Sequence, residues 1–140
     1  MVAGSADDCR HFVRQYRLRR LPFGDAFERV RCEPAWMFAF PDQSFDCAQP
    51  VEDHLLVQRG AINRGWGWHP KRDTGAPELL LDTIHANAPS CYLAGSVWCE
   101  WLLRRDVRMA TFVPPRIDAG QAQFFREAAG ATLAATPDSQ

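Results

Sequence analysis

The stretch SCYLAGSVWCEWLLRR, residues 90–105, decides the fold class of this chain. Its apolar side chains recur at helical spacing, which predicts a helix, although Gly95 weakens the pattern. In a second stretch, DAGQAQFFREAA at residues 118–129, Asp118 can cap a helix and Gln121 stands three residues later, as in a capping box. Two such helices predict a largely helical domain. The inward side of the helix at residues 90–105 is expected to carry Leu93, Val97, Trp98, Trp101 and Leu102.

Upstream of these two helices, the sequence predicts further short helices. Residues 5–20 place Cys9, Phe12, Val13 and Tyr16 at i, i+3, i+4 and i+7, which makes one apolar stripe on a helix. The other predicted helices are residues 25–31, 50–59 and 77–87, with a strand through 54–62 left open as the alternative for the second of these.

A small sheet accompanies the helices. Residues 35–40, AWMFAF, and residues 107–113 are short apolar runs next to prolines, as is typical of buried strands, and a third short strand is expected near Trp66. We therefore predict an α+β fold, a mostly helical single domain over residues 1–131 with a small sheet. A flexible C-terminal tail over 132–140 is expected to follow. The predicted core comprises Phe12, Tyr16, Trp36, Phe38, Leu80, Ile84, Trp98, Leu102 and Phe124.

Composition and charge narrow the classes of function. The 140 residues are 46% hydrophobic and 24% charged, which is typical of a globular domain. The formal net charge of −1 argues against a broad electrostatic attraction to nucleic acid. Lys71 is the only lysine, so nearly all cations are arginines, which suit planar two-point contacts to carboxylates and phosphates.

The cysteines indicate a reducing compartment. Their number is odd and they form no CxxC pair, so the sequence predicts reduced, mostly buried thiols. The first residues have neither the basic start nor the apolar run of a signal peptide, and no apolar stretch is long enough to span a membrane. We expect a cytoplasmic protein without a membrane partner. The five cysteines are Cys9, Cys32, Cys47, Cys91 and Cys99.

The segment NRGWGWHPKRD, residues 63–73, is the first candidate binding site. It combines aromatic and cationic side chains on a glycine-rich backbone, and such side chains are frequent in binding hot spots and in nucleic-acid contacts. Three interpretations stay open: the tryptophans anchor the loop to the core, they contact a protein, or they contact a nucleotide or nucleic acid. The candidate residues are Arg64, Trp66, Trp68, His69, Lys71 and Arg72.

The first helix offers a second candidate surface. Arg10, Arg14 and Arg17 crowd the side away from its apolar stripe. The surface is either solvated and paired with nearby carboxylates, or a docking face for an acidic partner or a phosphate backbone.

The sequence holds little that indicates catalysis. No His, Cys or carboxylate pattern has the spacing of a metal site, and no phosphate-binding glycine motif occurs, so neither a metal nor a cofactor is expected. Residues 91–116, however, resemble the opening strand–YLAG–helix–strand of nucleoside 2-deoxyribosyltransferases over less than a fifth of the chain. The resemblance implies a tight turn at residues 92–95 and a strand at 107–113. Glu127 is the only glutamate after this string.

These observations favour a binding role over an enzymatic one. The leading hypothesis is a small intracellular interaction protein of the inhibitor, immunity or accessory-factor type found in bacterial and phage systems, with a protein as partner. The alternatives are a small enzyme of nucleoside or nucleotide processing and a nucleic-acid-binding accessory protein, the latter less favoured. Homo-oligomer formation stays open.

Overall fold

The computed structural model of the chain describes residues 5–39 and 58–136. These residues form an α+β fold of four α-helices and one two-stranded antiparallel sheet, which confirms the predicted fold class. The helices are α1 (Ser5–Tyr16), α2 (Phe23–Arg31), α3 (Ala88–Leu103) and α4 (Ala119–Ala134). The strands are β1 (Gly65–Pro70) and β2 (Pro77–Asp82), and short 3-10 turns cover Pro34–Trp36 and Val107–Met109.

The core lies where α2, α3 and α4 meet. Phe125 of α4 is almost completely buried, and it belongs to the same cluster as Leu93 and Val97 of α3 and Val30 of α2. Small residues of α4 let the other two helices approach it closely, as alanines commonly do at such positions. The buried alanines of this cluster are Ala26, Ala128 and Ala129.

Side-chain caps begin both long helices. The Asp118 carboxylate accepts a hydrogen bond from the Gln121 N–H at 2.8 Å, which confirms the predicted cap of α4. Asn87 caps α3 by accepting from the backbone N–H of Ser90, while its Nδ2 donates to the carbonyl oxygens of Ala61 and Asn63. Asn87 therefore joins the start of α3 to the segment that leads into β1.

Three predicted elements are wrong. Residues 77–87 were expected to be helical, but they contain β2, which pairs along its whole length with β1. Residues 35–39, the described part of the strand predicted at 35–40, contain a 3-10 turn and a single bridge from Ala39 to Arg59 in place of a strand. Residues 107–113 start with a 3-10 turn and continue without a strand partner in the described part of the chain. Of the predicted sheet, only the strand near Trp66 is therefore present.

The ends of several helices differ from the predicted ones. The first helix stops at Tyr16, because Arg17 adopts a positive φ of 51° that breaks the helical path. The last helix extends to Ala134, and Thr136 after it is buried, so these residues of the expected tail pack on the domain. Most of the helix predicted at 50–59 lies outside the described residues.

The predicted core is largely wrong as well. Trp36 and Phe124 are half-buried and stack on each other with ring centroids 5.2 Å apart. The other seven are exposed, because α1 and β2 pack little against the three-helix core and because α3 turns a different face inward. These exposed side chains are Phe12, Tyr16, Phe38, Leu80, Ile84, Trp98 and Leu102.

The thiols are less buried than predicted. Cys32 and Cys91 are exposed and Cys99 is half-buried, and all three are free. Cys91 lies on the outer face of α3, which the neighbouring helices do not cover. Cys47 lies outside the described residues, and the side chain of Cys9 does as well.

Candidate functional site

The candidate site is the hairpin of β1 and β2. The two strands pair in register from Gly65 opposite Asp82 to Pro70 opposite Pro77. Lys71 donates its N–H to the carbonyl of Ala76 at 2.8 Å, which closes the turn. A two-stranded sheet on its own is marginally stable in water, so what lies along its two edges matters for its stability and its function.

The outer edge of β1 is closed by a side chain. Gln58 Oε1 accepts from the Trp66 N–H at 2.8 Å, and Gln58 Nε2 donates to the Trp66 carbonyl at 2.8 Å. The amide thus makes both hydrogen bonds that a neighbouring strand would make. Gly65 adopts a φ of +68°, and a Cβ there would collide with the Gln58 amide, so glycine permits this close approach.

Among the described residues, nothing pairs with the outer edge of β2. In an antiparallel pair, the backbone groups of alternate residues point toward the partner strand and away from it. Since the Trp66 groups point away from β2, those of its partner Leu81 point away from β1, and Leu79 opposite Trp68 does the same. Within the described ranges, no hydrogen bond reaches the outward backbone groups of Leu79 or Leu81.

An apolar pocket of about 520 Å³ lies beside the Trp66–Leu81 pair of the hairpin. Met37, Phe38 and Ile62 also line this pocket. Leu81 is 49% exposed and Leu80 is 46% exposed, although both are large apolar side chains. The edge thus combines free backbone hydrogen-bonding groups with an apolar recess.

The strand expected near Trp66 carries both tryptophans. Trp66 and Trp68 are half-buried and lie on one face of β1, since strand residues two apart share a face. His69 lies on the other face, where its Nε2 would be 3.4 Å from a Cβ at Gly67. The exposed cations of residues 63–73 do not lie together beside the two tryptophans. Lys71 and Arg72 are exposed at the turn, about 17 Å along the hairpin from Trp66, and Arg64 is exposed just before β1.

The far end of β2 is held by a carboxylate. Asp82 Oδ1 accepts from the backbone N–H groups of Ile84 and His85, and Oδ2 lies 2.9 Å from Nδ1 of the His85 ring. The pKa of Asp82 lies below its ordinary value of 3.8, chiefly because the His85 N–H stabilises the charged carboxylate. Arg64 donates its N–H to the His85 carbonyl at 3.0 Å, which joins the residue before β1 to the segment after β2.

The second candidate surface is separate from the hairpin. Arg14 is exposed on α1, and Arg17 is exposed just after it. The side chain of Arg10 lies outside the described residues. Arg19 is held in place, with its guanidinium carbon 4.5 Å above the ring centre of Trp101 on α3. The structure therefore does not bring the arginines of the first helix together with the tryptophans of the hairpin.

Comparison with models of protein families, with curated proteins and with solved structures found no match. The string that resembles nucleoside 2-deoxyribosyltransferases does not adopt the implied geometry. Residues 92–95 lie inside α3 and not in a turn after a strand, and residues 107–113 form no strand. The tight turn and the strand that the resemblance implies are therefore absent from these residues.

The described residues contain neither a metal-binding cluster nor a membrane-spanning helix. In the part of the chain that the structure describes, no three His, Cys, Asp or Glu side chains lie close enough to hold a metal ion. None of the helices described is long and apolar enough to cross a bilayer.

Sequence reasoning missed the second strand and its edge. The signal was present, because residues 71–77 (KRDTGAP) combine Gly, Pro and Asp between two short apolar runs, which is typical of a hairpin turn. Gln58 had no such signal, since its role depends on where the chain returns to β1.

Proposed function

We propose that this chain is a small protein-binding module, of the inhibitor, immunity or accessory-factor type, that captures an extended segment of its partner along the outer edge of β2. The observation that supports this is the asymmetry of the hairpin. Gln58 closes one edge, while Leu79 and Leu81 leave the other edge open beside an apolar pocket. Addition of a strand to an open sheet edge is a common mode of peptide recognition, because main-chain hydrogen bonds supply affinity and adjacent pockets supply specificity.

The pocket indicates which side chains the bound segment carries. A strand paired with β2 alternates its side chains between two faces. On the face of Trp66 and Leu81, an apolar side chain of the partner fits the recess of about 520 Å³. On the other face, Leu80 is flanked by Glu78 and Asp82, so a cationic side chain is favoured there.

The same charges argue against a second copy of β2 as the partner strand. Antiparallel pairing of two β2 strands about Leu80 would place Glu78 of each copy opposite Asp82 of the other. Like charges directly opposite each other destabilise a sheet. The edge is therefore better matched to a different protein with alternating apolar and basic residues.

Selection from a random peptide library displayed on phage tests the proposal with the purified chain as bait. We expect enriched peptides that alternate apolar and basic residues, and that slow hydrogen exchange of the Leu79 and Leu81 amides when bound. Leu79→Pro removes an outward N–H and abolishes binding, while Leu79→Ala keeps that N–H and retains part of the affinity. Amide spectra of both variants are the check that the hairpin is kept.

Two results would overturn the proposal. One is a selection that enriches no peptide above the level found with an unrelated bait. The other is a set of peptides that bind the Leu79→Pro variant as tightly as the wild type, since such binding cannot involve the edge. Leu81→Arg serves as a second variant, because it leaves the backbone donors intact and fills the apolar pocket with a cation.

A further inference from the structure

The outer face of α3 carries an exposed apolar seam. Cys91, Gly95, Trp98 and Leu102 follow one another at spacings of four, three and four, so they lie in one line along the helix. Trp98 is 47% exposed and Leu102 is 57% exposed, and Gly95 and Cys91 are exposed as well. This line faces away from Leu93 and Val97, which are completely buried in the core.

The whole helix has the composition of a buried helix. Glu100 is the only charged residue among the sixteen of α3, and it turns away from the seam to accept the N–H of Val107 at 3.1 Å. A helix that is apolar on all sides is normally covered on all sides. Within the described ranges, however, no element packs over the seam.

We propose that the seam binds a second copy of this chain, with the two α3 helices antiparallel. Spacings of four and three residues are those of helices that pack knobs into holes, and in an antiparallel pair they set Gly95 opposite Trp98 and Cys91 opposite Leu102. Each large side chain then meets a small one. The seam is thus complementary to itself, as a two-fold symmetric interface requires.

The space above Gly95 fits this arrangement. A Cβ at Gly95 would have no other heavy atom within 4 Å, so there is room for the indole of the partner's Trp98. Gly95 and Cys91 also form one wall of an apolar groove of about 530 Å³, and Phe112, 67% exposed, lies on the opposite wall. The incoming indole is covered on both sides in this groove.

Neighbouring side chains restrain the Trp98 ring before the dimer forms. The Trp98 ring packs edge-on against the Trp101 ring, with their centroids 6.2 Å apart. The guanidinium carbon of Arg19 lies 4.5 Å from the centre of the Trp101 ring. A side chain that is already ordered loses less entropy on binding. The seam spans about 17 Å of helix, which is short, so we expect a dimer that dissociates on dilution.

Sedimentation over a concentration series tests the proposal with the full chain. The wild type is expected to show a reversible monomer–dimer equilibrium. Trp98→Ala and Gly95→Trp are each expected to raise the dimer Kd by about 30-fold or more for each of the two symmetry-related hot-spot contacts that are lost. Leu103→Ala is the matched control, because Leu103 is exposed on the same helix but lies off the seam.

A mixture of the two variants gives the decisive measurement. In the Gly95→Trp homodimer, a large side chain at position 95 faces the large Trp98 of the partner. In the Trp98→Ala homodimer, a small side chain at position 98 faces the small Gly95 of the partner. Mixed together, they restore large against small at both positions, so native mass spectrometry should detect the heterodimer in excess of either homodimer. A destabilised fold cannot produce this rescue.

Oxidative crosslinking checks the orientation. Leu102→Cys is expected to form a crosslinked dimer through Cys91 of the partner much faster than Leu103→Cys does. A wild type that stays monomeric at all concentrations would overturn the proposal, as would a dimer that Gly95→Trp leaves unchanged or equal crosslinking of the two cysteine variants. None of these results bears on the β2 edge, which lies on a different part of the fold.

Discussion

The side-chain amide of Gln58 takes the place of a neighbouring strand at Trp66, with one donated and one accepted hydrogen bond of 2.8 Å each. This contact closes the outer edge of β1. Among the described residues, it leaves the outer edge of β2 as the unpaired one. It also makes the stability of the hairpin depend on a residue seven positions before β1 begins at Gly65.

Removal of this amide should loosen the hairpin. Gln58→Ala leaves the backbone groups of Trp66 without partners, and we expect a loss of about 1–3 kcal/mol in the free energy of unfolding. Hydrogen exchange of the Trp66 amide should accelerate more than that of amides in α4. Gln123→Ala is the control, since that exposed side chain bonds only to Glu127. Equal effects of the two substitutions would contradict this role.

Asn87 has two separable roles. Its Oδ1 caps α3, and its Nδ2 binds the carbonyls of Ala61 and Asn63. Asn87→Asp keeps the cap but loses the donor, so it should destabilise the segment before β1 while the start of α3 stays protected from exchange. Asn87→Ala removes both and should cost about 1–2 kcal/mol for the cap, plus the loss of the tie. Identical exchange patterns in the two variants would show that the cap contributes nothing, and wild-type exchange of the segment before β1 in Asn87→Asp would show that the tie contributes nothing.

The difference between buried and exposed phenylalanines can be measured directly. Phe125→Ala empties the centre of the core and should cost about 3–5 kcal/mol in the free energy of unfolding. Phe112→Ala changes a side chain that is mostly exposed and should change stability by about 0.5 kcal/mol or less. Denaturant unfolding at protein concentrations low enough to keep the chain monomeric provides the comparison. A larger loss for Phe112 would place the core elsewhere.

Tyr92 holds the segment after the second 3-10 turn. Its hydroxyl donates to the Phe112 carbonyl at 2.7 Å and accepts from Arg126 Nη1 at 2.8 Å. Tyr92→Phe should cost about 1 kcal/mol or more in the free energy of unfolding, because the Phe112 carbonyl and the Arg126 guanidinium both lose a partner. Tyr16→Phe is the matched control, since that ring is exposed on α1. No difference between the two variants would show that the hydroxyl does not restrain the segment.

Acid should weaken the hairpin through Asp82. Since the folded-state pKa of Asp82 lies below 3.8, its stabilisation is present above that value and is lost as the pH falls through the folded-state pKa. The difference in unfolding free energy between wild type and Asp82→Asn should therefore be constant near neutral pH and shrink as the pH falls through the lowered pKa of the folded state. A difference that grows in acid would contradict the sign of this shift.

About half of the candidate site could be predicted from the sequence. The sequence predicts a short strand near Trp66, and the structure has this strand, with both indoles on one face. The partner strand could not be recognised from propensity, because Leu and Glu in PELLLD are good helix formers and Pro77 suits the first turn of a helix. Pairing with β1 outweighs that local preference, since it satisfies the backbone of both strands.

Residues 107–113 show the opposite case. VRMATFV has the residues of a strand, but no strand of the described chain lies beside it, and a strand cannot exist without a partner. Local composition therefore could not decide whether this segment joins the sheet. The Tyr92 hydroxyl and the turn at Val107–Met109 position it instead.

The sequence by itself determined the two long helices, because periodic apolar residues and the Asp118 cap act within a few residues of one another. It could not determine which face of α3 is buried. Periodicity selects a face only when the other face is polar, and α3 has a single charged residue in sixteen. The tertiary structure decided this through the packing of Leu93 and Val97 against Phe125, and it thereby left Trp98 and Leu102 on the surface.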